Sequence, residues 1–526
     1  MNLSDKEKTG IQCLGVGKTT NTLPKRLLEP GESLSQRVAR GGFWVFVLRI
    51  TQQVFGFVRL IILARILAPS DFGLLGIALL AVGTLETFSK TGFQQALVQR
   101  KGDVAHYLDT AWTVSVIRGV ILFAILFFSA PYVALFFDSP QATPIIQVIG
   151  VSMLLTGLTN VGVVYFQKEL EFRKQFIYQL SGTLADFVMA VSAAIILQNV
   201  WALVYGLLAG NIVRFIMSYL VHPYRPRLSF DLEQFKELFG FGKWVLGSSI
   251  LVFLITQGDD IFVGKLLGVT ALGFYQLAYR ISNMPATEIA HVISQVTFPA
   301  YSKLQDDIPR LREAYLKVLQ LTAFLSFPIA GLIFVLAPDF TKIFLGEKWM
   351  PMVPAMQVLV LAGLVRSIGT TVGNVFFAIG KPKLEVKWEI IRLATLAAFI
   401  YPFTRWWGIL GTSIAVFLSI FVLTIGFGFA VVKITGCGGR NFLKMIASPL
   451  ISAVFLVLSI SVFKIDNNMI DVDIWGFSLL VVVGVLAYFC MVYLLDNFLS
   501  LWGVSSYKIK FSKLYNVLKK IRQYET

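Results

Sequence analysis

The sequence predicts an all-α polytopic membrane protein with 14 transmembrane helices, two pseudo-symmetric six-helix lobes followed by a C-terminal pair. Three observations carry this expectation: an extreme apolar composition, basic residues that collect in alternate loops, and an internal repeat at an offset of 200 residues. Of 526 residues, 56% are hydrophobic and 14% charged, with 45 Phe against 3 His, and the mean hydropathy is +0.73. Soluble domains carry about 25% charged residues, so this chain has too few to cover a water-facing globule of its size. Its apolar stretches approach or exceed the ~20 residues of a membrane crossing and are separated by short connections, which excludes a large extramembrane catalytic domain.

Along the chain, residues 1–40 are polar, contain no apolar run of the signal-peptide kind, and read as a basic cytoplasmic tail. Within them Gly15-Val16-Gly17-Lys18-Thr19 imitates the end of a phosphate-binding loop. The first glycine of that motif falls on Gln12, and no apolar strand precedes it, so nucleotide binding is not implied. Spans are expected near 42–65, 72–96, 107–128, 143–166, 176–197 and 201–221, which form an N-lobe over 41–222. A cytoplasmic linker at 223–242 precedes a C-lobe over 243–432, with spans near 243–266, 271–299, 314–336, 352–378, 385–402 and 407–432. Spans near 443–463 and 475–495 make up the appended pair in 433–496, and 497–526 is a second basic cytoplasmic tail.

The loop charges test this register. Arg100-Lys101, Lys168 with Arg173-Lys174, Arg225 with Arg227 and Lys236, Lys303 with Arg310 and Arg312, Lys381 with Lys383 and Lys387, and Lys433 with Arg440 all follow even-numbered spans. The odd loops carry Asp71, Asp138, Gln198-Asn199, and Lys464 outweighed by Asp466, Asp471 and Asp473. By the positive-inside rule both termini then face the cytoplasm, and the net charge of +16 is largely topological. Laid on itself with the 200-residue offset, the chain matches Gly42, Trp44 and Val45 to Gly242, Trp244 and Val245, and Ile61, Leu67, Gly73 and Ala78 to Ile261, Leu267, Gly273 and Ala278. Two parallel lobes related by an axis along the membrane normal follow, an architecture typical of transporters.

Ionisable groups inside spans are costly and mark function by default. Arg49, Gln52, Gln53, Gly56 and Arg59 recur at three- and four-residue steps and make one polar stripe on the first span. Asp259 and Asp260 lie on the seventh, Glu86 and Lys90 on the second, and Arg280, Asn283, Glu288 and His291 on the eighth, with single charges at Arg118, Asp186, Arg214, Arg366 and Arg392. Simple pairing predicts Glu86 with Lys90 and Arg59 with Asp259. Cations nevertheless outnumber anions, and buried guanidinium forks grip phosphate oxygens, so Arg49, Arg59, Lys90 and Arg280 are the expected holders of an anionic headgroup. Cys13, Cys437 and Cys490, and the scattered His106, His222 and His291, imply neither a disulfide nor a zinc site.

The run RLIILARILAPSDFG from Arg59 to Gly73, with GFQQALVQR from Gly92 to Arg100, resembles the polysaccharide transporter family. The second lobe adds LGFYQLAYR from Leu272 to Arg280 and FPAYSKLQ from Phe298 to Gln305. The resemblance runs from about residue 38 to about 440 and is closest to Wzx-type exporters of colanic and teichuronic acid units. It implies the superfamily that holds the MATE exporters and the lipid II flippase, with two lobes in a V around a central cavity. It also implies transport of undecaprenyl-pyrophosphate-linked oligosaccharide to the outer leaflet of the inner (cytoplasmic) membrane, not an enzyme activity. Gln52, Gln53, Tyr275, Tyr279 and Asn283 then suit sugar contacts, and Asp259, Asp260 and Glu288 suit a coupling proton or sodium ion. No other cofactor is expected. A polysaccharide polymerase and a chain-length regulator are the implied protein partners, and a MATE-type cation-coupled drug antiporter is the alternative.

Overall fold

The computed structural model describes residues 34–99, 104–466 and 472–501. The Gly15–Thr19 run, the Arg100-Lys101 pair, Asp471, most of both basic tails and the His291 side chain lie outside these residues. The described chain is helical almost throughout: α1 Leu34–Ile66, α2 Pro69–Phe88, α3 Phe93–Gln99, α4 Ala105–Phe136, α5 Ala142–Leu158, α6 Val164–Lys168, α7 Phe172–Leu197, α8 Trp201–Val221, α9 Leu232–Leu267, α10 Val269–Lys303, α11 Ile308–Phe340, α12 Val353–Ala378, α13 Pro382–Thr435, α14 Gly439–Asp466 and α15 Ile474–Leu501.

Ten helices among the described residues are long and apolar enough to cross a membrane, or eleven if the bent pair α5 and α6, at 70° to one another, is one span. This test and the 14 spans read from the sequence differ at that bent pair, at α9 and α10, and at α13. Helices α9 and α10 have 36 and 35 residues but carry Asp259, Asp260 and Lys265, and Arg280 and Glu288. Helix α13 is counted once, yet its 54 residues would rise about 80 Å at 1.5 Å each, far beyond a ~30 Å hydrocarbon core. It breaks at Gly408, where φ is +58° and ψ −138°, a backbone region that favours glycine. The exposed Trp406 and Trp407 sit at the break, the residue type that favours a membrane–water interface.

Helices alternate in direction, so the connections collect at two ends. At the far end, opposite residue 34, Lys265 Nζ lies 2.7 Å from Asp138, and Lys464 holds Asp339 with both carboxylate oxygens at 2.8 Å. At the near end, the extended segment after α8 lies along α4. The Ser229 and Asp231 amides donate to Thr113 and Thr110 at 3.0 and 3.3 Å, and the Tyr224 hydroxyl and the Arg227 amide donate to Asp109.

Helices α1 to α8 pack mainly on one another, as do α9 to α15, and α2 with α9 and α10 bridges the two sets. The crossing of α2 and α10 displays the repeat directly. A methyl group on Gly73 would stand 1.9 Å from the Val269 carbonyl oxygen, and one on Gly273 would stand 2.0 Å from that of Pro69. Both pairs are related by the same offset of 200, so the repeated glycines form a pseudo-two-fold contact where only a missing Cβ lets the backbones meet. The largest apolar cluster spans both sets here, joining Ala64, Ile77 and Ala78 to Leu272, Tyr275 and Trp349.

The far end is sealed further by the connection after α11. Trp349, fully buried, donates its indole N–H to Ala64 O at 2.9 Å. Lys348 Nζ donates to the carbonyls of Arg65 and Leu67 at 2.9 and 2.7 Å, and Arg65 returns hydrogen bonds to the carbonyls of Ile343 and Phe344. The last carbonyls of α1, which have no partner within their own helix, are thus satisfied by the opposite lobe.

Candidate functional site

Below that seal the lobes separate into a cleft lined by the polar stripe of α1. Gln53 Nε2 donates to Glu288 Oε1 at 2.7 Å, and Arg49 forms an ion pair with the other oxygen of the same carboxylate. Three residues expected in separate roles are therefore one bridge between the lobes. Gln52 reaches Thr183 on α7 at 3.4 Å.

About two turns further along α1, Arg59 Nη2 lies 3.0 Å from Asp186 Oδ1 on α7. The expected pairing of Arg59 with Asp259 is not formed, because α7 rather than the equivalent helix of the other lobe packs on α1. The Arg280 guanidinium lies across Gly56, where an added Cβ would be 3.6 Å from its Nη2. Its nearest charges are Arg59 and Asp186. Arg214 of α8 also lies in the field of Asp186 and donates to Asn211 Oδ1 at 3.1 Å. Three arginines thus surround a single carboxylate. The glycines of α7 and α8 make the space: a methyl on Gly206 would fall 2.9 Å from Asp186 Oδ1, and one on Gly182 would fall 2.4 Å from Arg214 Cγ.

Two adjoining cavities share Glu86, Thr87 and Lys90 on their walls. One, of about 600 Å³, lies between α2 and α9 and is lined by Gln257, Asp260, Gln276 and Tyr279. The other, of about 740 Å³, lies inside the first lobe and is lined by Gln52, Arg118, Tyr178, Gln179, Asn211 and Arg214. Arg118 is committed elsewhere. Its guanidinium caps the end of α2, donating to the carbonyls of Ser89 at 2.9 Å and Glu86 at 3.2 Å.

The second lobe handles its charges differently. Asp259 is buried and accepts a 2.6 Å hydrogen bond from the Tyr275 hydroxyl. Tyr275 is itself fully buried, with its hydroxyl committed to Asp259. Arg366 Nη2 donates to the Tyr279 hydroxyl at 3.0 Å, and its guanidinium lies 5.8 Å from the Tyr279 ring centre. Asn283 Nδ2 donates to the Tyr279 carbonyl at 3.1 Å, and Asp260 accepts from Gln276 at 3.2 Å.

Asp186, Arg214 and Arg366 stood in the sequence as single charges without a role. Their partners lie on other helices, and no spacing rule joins them. The one available signal was sign, since lone arginines in several spans need a common acceptor.

Fold and cleft together define a two-lobed helical membrane protein whose cleft carries excess positive charge. The chain belongs to the polysaccharide biosynthesis protein family, whose model matches residues 62–354. It is 27% identical over 421 residues to the lipopolysaccharide biosynthesis protein WzxC of Escherichia coli (strain K12), covering 79% of this chain and 85% of that one. It is 25% identical over 346 residues to the succinoglycan biosynthesis transport protein ExoT of Rhizobium meliloti (strain 1021), covering 66% and 70%. Among solved structures it superposes on the lipid II flippase MurJ in an inward closed conformation with a TM-score of 0.70 at 14% identity, covering 86% of this chain and 98% of that one. That likeness is one of fold.

Proposed function

We propose that the protein is a flippase that carries undecaprenyl-pyrophosphate-linked oligosaccharide units across the inner membrane for polysaccharide assembly. The observation that carries this reading is the cleft cluster, in which Arg59, Arg214 and Arg280 share the single carboxylate Asp186. Family membership and relatives named for lipopolysaccharide biosynthesis and succinoglycan transport support it. A cluster with surplus guanidinium groups in a low-dielectric cleft needs an anion, and a diphosphate accepts bidentate hydrogen bonds from several at once. A site for cationic drugs would need the opposite charge balance.

The near end, where the Lys and Arg of the even loops lie, faces the cytoplasm together with both termini. With the far end sealed, the headgroup enters from that side, and the lipid tail stays in the bilayer. Arg59 and Arg280 grip the diphosphate, and Arg49 joins them when the anion displaces Glu288. Rocking of the lobes about the α2–α10 crossing then exposes the same site outward. Asp259, Asp260 and Glu288 bind the coupling proton or sodium ion, and a polymerase with its chain-length regulator receives the product.

The test is flipping of a fluorescent lipid-linked oligosaccharide in vesicles containing the purified protein. Arg59→Ala with Arg280→Ala is expected to lower the rate at least tenfold at unchanged protein content, with partial recovery in the Lys variants. Normal flipping by the double Ala variant would sink the headgroup assignment.

A further inference from the structure

At the far end the 200-residue repeat recurs in the contacts between the lobes. Arg65 and Lys265 are the basic ends of the equivalent helices α1 and α9, and each reaches the opposite lobe where its third expected span ends. Arg65 donates to the carbonyls of Ile343 and Phe344, in the connection after α11. Lys265 Nζ lies 2.7 Å from Asp138, in the connection after α4, and 5.4 Å from the ring centre of Phe136. The two contacts are therefore a pseudo-symmetric pair of clasps.

The clasps are unequal. The partners of the Lys265 ion pair are 40% and 73% exposed, where such pairs hold little. The Arg65 clasp is extended by Lys348 and Trp349, which donate to the carbonyls of Arg65, Leu67 and Ala64. These donors are brought round by a wide turn, in which the Gly346 amide donates to the Thr341 carbonyl at 2.8 Å. Its closing residue has φ +101°, a backbone region that favours glycine, and turns of this i to i+5 kind gather at functional positions. The turn is anchored in the appended pair. Asp339, at the end of α11, is buried with both carboxylate oxygens 2.8 Å from Lys464 of α14. Phe477 of α15 packs on Phe340 and Phe344 with ring centres 6.5 and 5.5 Å apart. The anchor is thus enclosed, whereas Arg65 and Lys348 are exposed, so that water can replace their hydrogen bonds at small net cost. A fixed arm carries a releasable grip.

We propose that the clasp of Arg65, Lys348 and Trp349 is the outer latch of the protein, that α14 and α15 position it through Asp339 and Phe477, and that the Lys265 clasp adds little to it. The inference rests on the flippase reading for its purpose, since it concerns when the same transport path opens outward.

The experiment uses the full-length protein with Cys13, Cys437 and Cys490 replaced by Ala and a reporter Thr256→Cys. Thr256 lines the cavity that begins at Gly76 and Gln276, about one turn along α2 and α10 from the Gly73 and Gly273 contact. A membrane-impermeant maleimide is applied to right-side-out vesicles, which present the far end, and to inverted vesicles, which present the near end. Trp349→Phe with Lys348→Met is expected to raise far-end labelling at least about fivefold, the net effect of one lost hydrogen bond, and to lower near-end labelling. Asp339→Leu with Lys464→Met removes both partners of the buried pair, so that neither is stranded, and is expected to give the same shift. Lys464→Arg, which keeps the pair, and Lys265→Met, which breaks an exposed one, are expected to stay within about twofold of the parent. Unchanged far-end labelling in the first variant, a rise from both ends alike, or an equal rise in Lys265→Met overturns the latch. Unchanged labelling in the variant at Asp339 and Lys464 overturns the positioning role of the appended pair. Flipping of lipid-linked oligosaccharide is read in the same vesicles. Its absence in the parent removes the flippase reading, whereas the labelling contrast reports on the latch alone.

Discussion

Residues 59 and 259 occupy the same place in the repeat, yet Arg59 is half-buried among charges from both lobes and Asp259 is fully enclosed. Around Arg59 the cationic groups share one acceptor, Asp186, and the larger cavity reaches the neighbouring Gln52 and Arg214. Around Asp259 each polar group has an internal partner: Tyr275 for the carboxylate, Tyr279 for Arg366, and Gln276 for Asp260. The duplication supplied two similar scaffolds, and substitution then separated their duties. The cleft, where Arg280 of the second lobe joins Arg59 of the first, keeps charge unsatisfied and available to a ligand. The interior around Asp259 satisfies its charges internally, so that removing one partner strands another in a low-dielectric interior.

The largest expected effect concerns the contact that holds these two regions in register. Gly273→Val places atoms inside van der Waals range of the Pro69 carbonyl, and backbone on both sides cannot move aside as a flexible side chain would. Export in a complementation assay is expected to be abolished, and Gly73→Val to match it, since the contact is two-fold. A large difference between the two would show that the pseudo-symmetry is not functional.

Next comes the contrast itself. Arg366→Ala leaves Tyr279 without its donor and Asp259 without a nearby cation, a loss of about 3–5 kcal/mol for breaking a buried charged network. Reduced protein in the membrane, read by fluorescence size-exclusion, is the expected outcome. Arg280→Ala, at a cleft-exposed position, is expected to leave protein amount unchanged and to lose transport. If both variants accumulate normally, the distinction between the ligand-facing cleft and the self-satisfied interior collapses.

The bridge of Arg49 and Gln53 to Glu288 should matter less. Both charged side chains are about 30% exposed, at 31% and 28%, where ion pairs contribute roughly 1 kcal/mol or less. A double-mutant cycle of Arg49→Ala and Glu288→Ala, read as cysteine accessibility in the cleft, is expected to show coupling of that size. Negligible coupling would mean that the near side opens without breaking this pair.

The smallest effect belongs to the connection between the repeats. His222 caps α8, stacks on Tyr165 with ring centres 5.7 Å apart, and accepts the Tyr224 N–H at 3.2 Å. Burial, reinforced by the Lys174 charge, lowers its pKa from 6.5 to about 4. The folded state therefore takes up fewer protons than the undocked segment between these values. The docking of residues 222–231 is full above pH 6.5, weakens as pH falls toward 4, and levels off below that. Hydrogen exchange of these amides at pH 7 and pH 5 is expected to show the weakening, and His222→Gln to remove its pH dependence.

The sequence alone determined the class of molecule, because too few charges exist to cover a soluble globule and membrane insertion sorts Lys and Arg between alternate loops one segment at a time. It also determined the repeat, since Gly73 and Gly273 remain identical where no Cβ fits. The pairing of the buried charges was decided only by tertiary structure. Asp186 meets Arg59 because α7 lies on α1. Glu288 meets Arg49 because the lobes face each other across the cleft, and Asp259 meets Tyr275 because α9 and α10 fold back on each other. Helical periodicity fixes which residues share a face, but the facing helix is selected by packing small residues against backbone. That choice made an open cationic cavity in one lobe and a closed polar core in the other.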